Sequence, residues 1–287
     1  MDRLKVLCFA GTYGLALLCE LARLVVRSRF RWHLTVALTA LAWVVHTLFL
    51  ANLALKDMLF LPATAFESGM VLAWIVALIG LYFMVHWPRQ VAVGIFILPL
   101  VLGLVVIASF APRESNWLDE GMFAFWGTVH GIFLLGGAVS TCLAFAAGLM
   151  YLAQMRRLKL KRPAPFGFAL PSLEQTERVN RAAITVAFPL LTFGLLIGLI
   201  LSVKVHGMAG ETGFNLTWTD PKVVSALGMW LVFAVLLHAR FRPAMRGRSV
   251  MVLTIVAFAF LVFTWVGIEA LHLPTAHGAA RTAGRLP

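Results

Sequence analysis

Residues 216–240 read LTWTDPKVVSALGMWLVFAVLLHAR. Trp218, Thr219, Asp220, Pro221 and Lys222 open a run of uncharged, mostly apolar residues long enough to cross a bilayer as a helix, and His238, Ala239 and Arg240 close it. A lipid-facing helix needs no carboxylate at its mouth and no imidazole at its far edge. Two readings follow. Asp is a favoured N-cap, Pro suits the first helical position and Trp suits a membrane interface, so the segment is a capped span. The same residues, set beside other polar groups, make a ligand-holding rim.

The rest of the chain repeats this pattern. Hydrophobic residues make up 61% of it and charged residues 13%, against roughly half and about a quarter in soluble proteins. A run of about 20 apolar residues spans the hydrocarbon core. Eight such runs are expected at about 4–26, 33–55, 67–87, 90–111, 124–152, 182–203, 223–239 and 250–271. They are continuous rather than alternating, which excludes a β-barrel reading. The fold class is therefore all-α: a polytopic membrane helical bundle forming a single transmembrane domain over residues 1–287.

Lys and Arg set the orientation. The loops after spans 1, 3, 5 and 7 hold 16 of them, and the opposite side and termini hold 8. The first set is expected to face the cytoplasm, with both termini outside. The net charge of +12 then reads as positive-inside charge near anionic headgroups and calls for no nucleic acid. Span 1 lacks a basic n-region on its inner side and a small-residue cleavage site, so no cleaved signal is expected. Cys8, Cys19 and Cys142 all fall within spans, and no CxxC or CxxCH occurs. The cysteines read as small core residues.

Between spans 5 and 6 lies the longest polar segment. Ser172 and Gln175 form a capping-box pattern that predicts a short interfacial helix leading into span 6. The uncharged run from Gly121 to Met155 is too long for one crossing, so residues 122–126 are expected along the outer interface.

Eight histidines carry most of the coordination chemistry available. His130, His206, His272 and His277 fall on the outer side; His33, His86 and His238 lie near the inner edge; His46 sits deeper in span 2. Imidazole is a strong ligand for haem iron, and an ionisable group within a span is a functional candidate by default. A neutral histidine near an interface is also cheap and bonds readily to a carbonyl. His33 beside Trp32, and His86 beside Trp87, read as interface residues. Glu20, Glu67 and Glu269 are carboxylates at span ends. Gly194-xxx-Gly198 and Gly127-xxx-Gly131 read as close helix contacts. Neither a Ser/His/Asp order nor a phosphate-binding loop nor an HExxH pattern occurs, so no catalytic residue is assigned and an enzyme is not expected.

These features, in this order, resemble the cytochrome c assembly membrane proteins, the haem-handling family that includes CcsA, and especially its HemX-like branch. The resemblance spans about 60–280, the specific part being TDPKVVSALGMW followed by LLHARFRPAMRGR and WVGIEALHLPTAH. A weaker part is the FES triplet at residues 66–68. It implies a multi-pass protein of the bacterial inner (cytoplasmic) membrane that binds haem b non-covalently. By position, His130 resembles the first outer haem ligand and His238 the inner-side ligand. The second outer ligand falls on His277 or His272. Trp218 resembles an aromatic ring that packs on the porphyrin, with Asp220 beside it. Thr219, Val223 and Ser225 stand where the haem-presenting type carries Trp, Glu and Trp, which favours the HemX-like branch. The implied partners are membrane lipid, a second membrane subunit of a cytochrome c assembly complex, and apocytochrome c. In the HemX-like alternative the chain regulates tetrapyrrole synthesis through glutamyl-tRNA reductase without stable haem.

Overall fold

A computed structural model describes residues 2–22, 29–57, 64–87, 93–111, 113, 121–161, 169–207, 219–239, 247–268 and 271. Among the described residues there are eight α-helices: α1 Asp2–Ala22, α2 Arg29–Asp57, α3 Ala65–His86, α4 Gly94–Phe110, α5 Gly121–Lys159, α6 Leu173–Gly207, α7 Pro221–Ala239 and α8 Arg248–Val262. A five-residue π-helical turn, Phe263–Gly267, continues α8. Among the described residues seven helices are long and apolar enough to cross a membrane, and α4 is a shorter apolar helix. Lipid exposure accounts for the many outward Leu, Val and Phe side chains, since only one face of each helix meets its neighbours.

Local chemistry explains the ends. Thr64 and Glu67 form a reciprocal capping box at the start of α3, which uses up the Glu67 carboxylate. Ser172 and Gln175 do the same for α6. The helix expected to lead from this box into span 6 is continuous with it: α6 runs unbroken for 35 residues from Leu173. Pairs at i,i+4, Glu174–Arg178 at 3.2 Å and Glu177–Arg181 at 2.9 Å, carry helix through the polar segment. Residues 122–126, expected along the outer interface, are the first turns of the 39-residue α5. At 1.5 Å per residue α5 is about 60 Å long, twice the hydrocarbon thickness of about 30 Å.

Antiparallel neighbours build two connected halves. α1 pairs with α2 and α4, α2 with α3, and α3 with α4. In the second half α5 pairs most extensively with α6 and also meets α8, while α7 lies against α6 and α8. Close approach is obtained with glycine. A Cβ on Gly137 would meet Leu191 Cγ at 2.8 Å, and one on Gly69 would run into the Trp265 indole. Each half also carries a tryptophan tied to a threonine on a neighbouring helix. Trp74 Nε1 donates to Thr47 Oγ1 at 2.8 Å, and Trp230 Nε1 to Thr192 Oγ1 at 2.8 Å. Both threonine hydroxyls in turn donate one turn back, to Trp43 and Phe188 carbonyls.

Alternation of direction sorts the helix ends into two groups. The starts of α3, α5 and α7, the end of α6 and the π-helical turn share one end. Glu20, the start of α4, the end of α5, the start of α6 and His238 share the other, which is the basic one.

Candidate functional site

His130 lies on α5 at the end away from the basic residues. Its ring is half-buried against α6, and Nδ1 sits 2.7 Å from the Gly194 carbonyl. A carbonyl only accepts, so Nδ1 carries the proton in this arrangement and the Nε2 lone pair is left for another partner. Gly198, one turn along α6, makes room for the ring: a Cβ there would meet His130 Cε1 at 2.7 Å. The Gly194-xxx-Gly198 pattern is thus a helix contact, as read from the sequence, and also a cradle for an imidazole. Spacing alone marked the small face but not what fills it.

Asp220 sits at the start of α7, 5% exposed. Its Oδ1 accepts from the Lys222 amide at 2.8 Å, and its carbonyl accepts from the Val224 amide at 2.9 Å, the geometry of an N-cap. The Thr192–Trp230 bond sets the α6–α7 register and brings Gly198 level with about the first turn of α7. His130 and Asp220 therefore lie at one end of the bundle, about one helical turn, or about 5 Å, apart in depth.

The π-helical turn closes this end. Thr264 Oγ1 donates to the Phe260 carbonyl at 2.7 Å and contacts Ser225 Oγ at 3.0 Å. Trp265, next along, lays its ring over Gly69 of α3. Nearby, the Arg113 guanidinium stands 4.3 Å above the Phe66 ring. Sequence reasoning passed over Trp265; the bulge that aims it into α3 has no simple residue signature.

His238 is at the opposite end of α7, on an exposed face. The structure does not bring it together with His130. Close by, a cleft of about 130 Å³ opens between α6, α7 and α8, with Asn180, Arg181, Thr185 and Ala239 in its wall. Ligand pockets for cofactor-sized molecules run from about 300 Å³, so this cleft is too small for a tetrapyrrole. His86 Nδ1 is bonded to the Tyr82 carbonyl at 2.9 Å and its ring stacks on Tyr82, in keeping with an interface residue. Trp218, His272 and His277 lie outside the described residues. Among the described residues no three His, Cys, Asp or Glu side chains cluster as a metal site. An axial haem ligand needs only one imidazole per helix, and His130, held by a carbonyl on the far nitrogen, has the donor chemistry for it.

A helical membrane protein that steadies an imidazole at one end of its longest helix is the class defined so far. The chain belongs to the cytochrome c assembly protein family: the model described as Cytochrome C assembly protein matches residues 32–273. The cytochrome c biogenesis protein CcsA of Synechococcus sp. (strain CC9605) is 27% identical over 92% of this chain and 93% of its own length. Protein HemX of Brevibacillus brevis is 27% identical over 82% of this chain and 84% of its own. The cytochrome c biogenesis protein CcsA of Chlamydomonas reinhardtii is 25% identical over 72% and 58%, respectively. No solved structure matches the chain.

Proposed function

We propose that this protein binds haem at the end of the bundle bearing His130 and hands it on in cytochrome c assembly. The observation that carries this reading is the 2.7 Å contact from His130 Nδ1 to the Gly194 carbonyl. That bond fixes the ring and leaves Nε2 as the nitrogen that would ligate haem iron, as carbonyl-bonded imidazoles do in metal sites. His277 or His272 would complete the pair, and Trp218 would cover a porphyrin face. Bound haem would supply an iron centre whose potential is set by these axial imidazoles. The protein's own work is to hold the ring plane, keep one tautomer and exclude bulk water. Asp220 serves by capping α7, two residues after Trp218 in the sequence. His238, exposed at the other end, is free to meet an imidazole from a second membrane subunit.

The test is an absorption spectrum of protein purified from haem-replete membranes. A Soret band is expected, and His130→Ala should reduce it, with free imidazole restoring part of the loss. No Soret band, together with normal c-type cytochromes in a deletion strain, would sink the proposal.

One observation favours a regulatory reading. The basic end of the α5–α6 pair presents Arg156, Lys159, Lys161, Arg178 and Arg181 on exposed positions, a surface suited to an acidic soluble partner. In the HemX-like alternative that partner is glutamyl-tRNA reductase. Its abundance in a deletion strain separates the two: a change with haem content and cytochromes intact supports regulation.

A further inference from the structure

A buried polar seam runs between α1 and α2, and the haem proposal makes no use of it. On α1, Phe9, Tyr13, Ala16 and Glu20 recur at spacings of four and three; on α2, so do Thr35, Thr39, Ala42 and His46. All eight are at most 1% exposed. Two contacts fix the antiparallel register: Phe9 stacks on His46 at 4.2 Å, and Lys5 Nζ donates to Asn52 Oδ1 at 2.9 Å. Glu20 is then level with Thr35, Ala16 with Thr39, and Tyr13 with Ala42. Glu20 stands at the basic end, its carboxylate against Gly94 at the start of α4, where a Cβ would meet Oε1 at 3.4 Å.

At the deep end Tyr13 and His46 meet edge-on at 6.2 Å between ring centroids. Tyr13 Oη and both His46 ring nitrogens have no hydrogen-bond partner among the protein atoms. Buried polar atoms without partners are rare and costly, and intramembrane ionisable groups of this kind mark ion or proton pathways. A single buried water can bridge Tyr13 Oη and one His46 ring nitrogen; the two ring nitrogens point apart, so the same water does not reach both. Beyond His46 the seam is apolar: Phe9 meets Phe49 at 5.4 Å, and Phe49 meets Phe66 at 6.4 Å. Among the described residues other elements bring no titratable side chain to this level. α4 has none, and those of α3 (Glu67, Tyr82 and His86) lie in its terminal turns.

We propose that the α1–α2 seam is a proton-binding half-path that begins at the buried Glu20, near the basic end, and ends at His46. A proton taken from water at the basic end passes along Glu20 and the threonine hydroxyls to a water between Tyr13 and His46. There the lone pair of one ring nitrogen takes it, forming an N–H bond and an imidazolium. It leaves by the same route, because the three phenylalanines seal the other half, so no net charge crosses. Thr39 lies on this line: its hydroxyl donates back to the Thr35 carbonyl at 2.8 Å, its oxygen can accept from the seam, and passing a proton inward requires the hydroxyl to turn. α1 precedes the stretch that the family model matches.

The test uses the full chain, labelled with ¹⁵N-histidine, in lipid nanodiscs. The His46 ring signal is assigned by its loss in His46→Gln, and its exchange with D₂O is followed by solid-state NMR. The wild-type ring N–H is expected to exchange far faster than the α1 and α2 backbone amides. Thr39→Val and Glu20→Gln should each slow it about tenfold, the factor corresponding to one lost hydrogen bond. Thr39→Val is the arm that stands if Glu20→Gln fails to fold. A His46 N–H as protected as those amides overturns the proposal, as does wild-type exchange in a folded Thr39→Val protein. Haem content, read separately, reports on the other site.

Discussion

At His130 the surrounding backbone matters more than any side-chain partner. Gly198→Val would place methyl groups where the imidazole lies, so the ring must turn and its bond to the Gly194 carbonyl must break. The expected outcome is a folded protein with a Soret band reduced toward that of His130→Ala. Asp220 behaves differently, because its role is capping. Asp220→Ala should lower stability by about 1 kcal/mol, and Asp220→Asn, which keeps an acceptor oxygen, by much less. Thermal unfolding in detergent distinguishes them; equal losses would mean that the charge, not the cap, is what matters.

Among the helices, the two Trp–Thr bonds make a matched pair of tests. Trp230→Phe keeps the aromatic body and removes the donor to Thr192, so it should cost about 0.5–1.5 kcal/mol, and Trp74→Phe a similar amount. A double-mutant cycle with Thr192→Val should recover a coupling of that size. Gly69→Val is expected to be worse than either, because the space is filled by the Trp265 ring and by Ala108 Cβ at 2.7 Å. Failure to purify as a monodisperse species is its expected readout. Most of this level was legible in the sequence. Hydropathy placed all eight helices, because each must offer an apolar surface to lipid along nearly its whole length. The cap at Asp220 was legible because capping is local. What escaped was which way a residue faces. His46 was known to be deep, but only packing shows that it is wholly buried against Phe9. Gly194 and Gly198 were known to be small, but only the approach of α5 shows that they receive His130. The unbroken length of α6 was not read from the sequence either: i,i+4 ion pairs carry the helix through the polar segment before span 6.

For the whole molecule, the charge bias predicts which end faces which compartment. In a background with Cys8, Cys19 and Cys142 replaced, Thr219→Cys should react with an impermeant thiol reagent from outside intact cells. Leu160→Cys, exposed at the basic end, should react only after permeabilisation. The reverse pattern would move the His130 site to the cytoplasmic side. α5 also ties the two compartments together mechanically. His130 and Arg156 share one uninterrupted helix and stand 26 residues apart, or about 39 Å. With α6 alongside as a brace, this pair acts as a stiff beam with its fulcrum in the membrane. A tilt of the pair by about 5° would carry one end about 3 Å sideways relative to the other, enough to shift His130 against helices that do not move with it. Whatever grips the basic end of the beam therefore holds a lever on the opposite side of the bilayer.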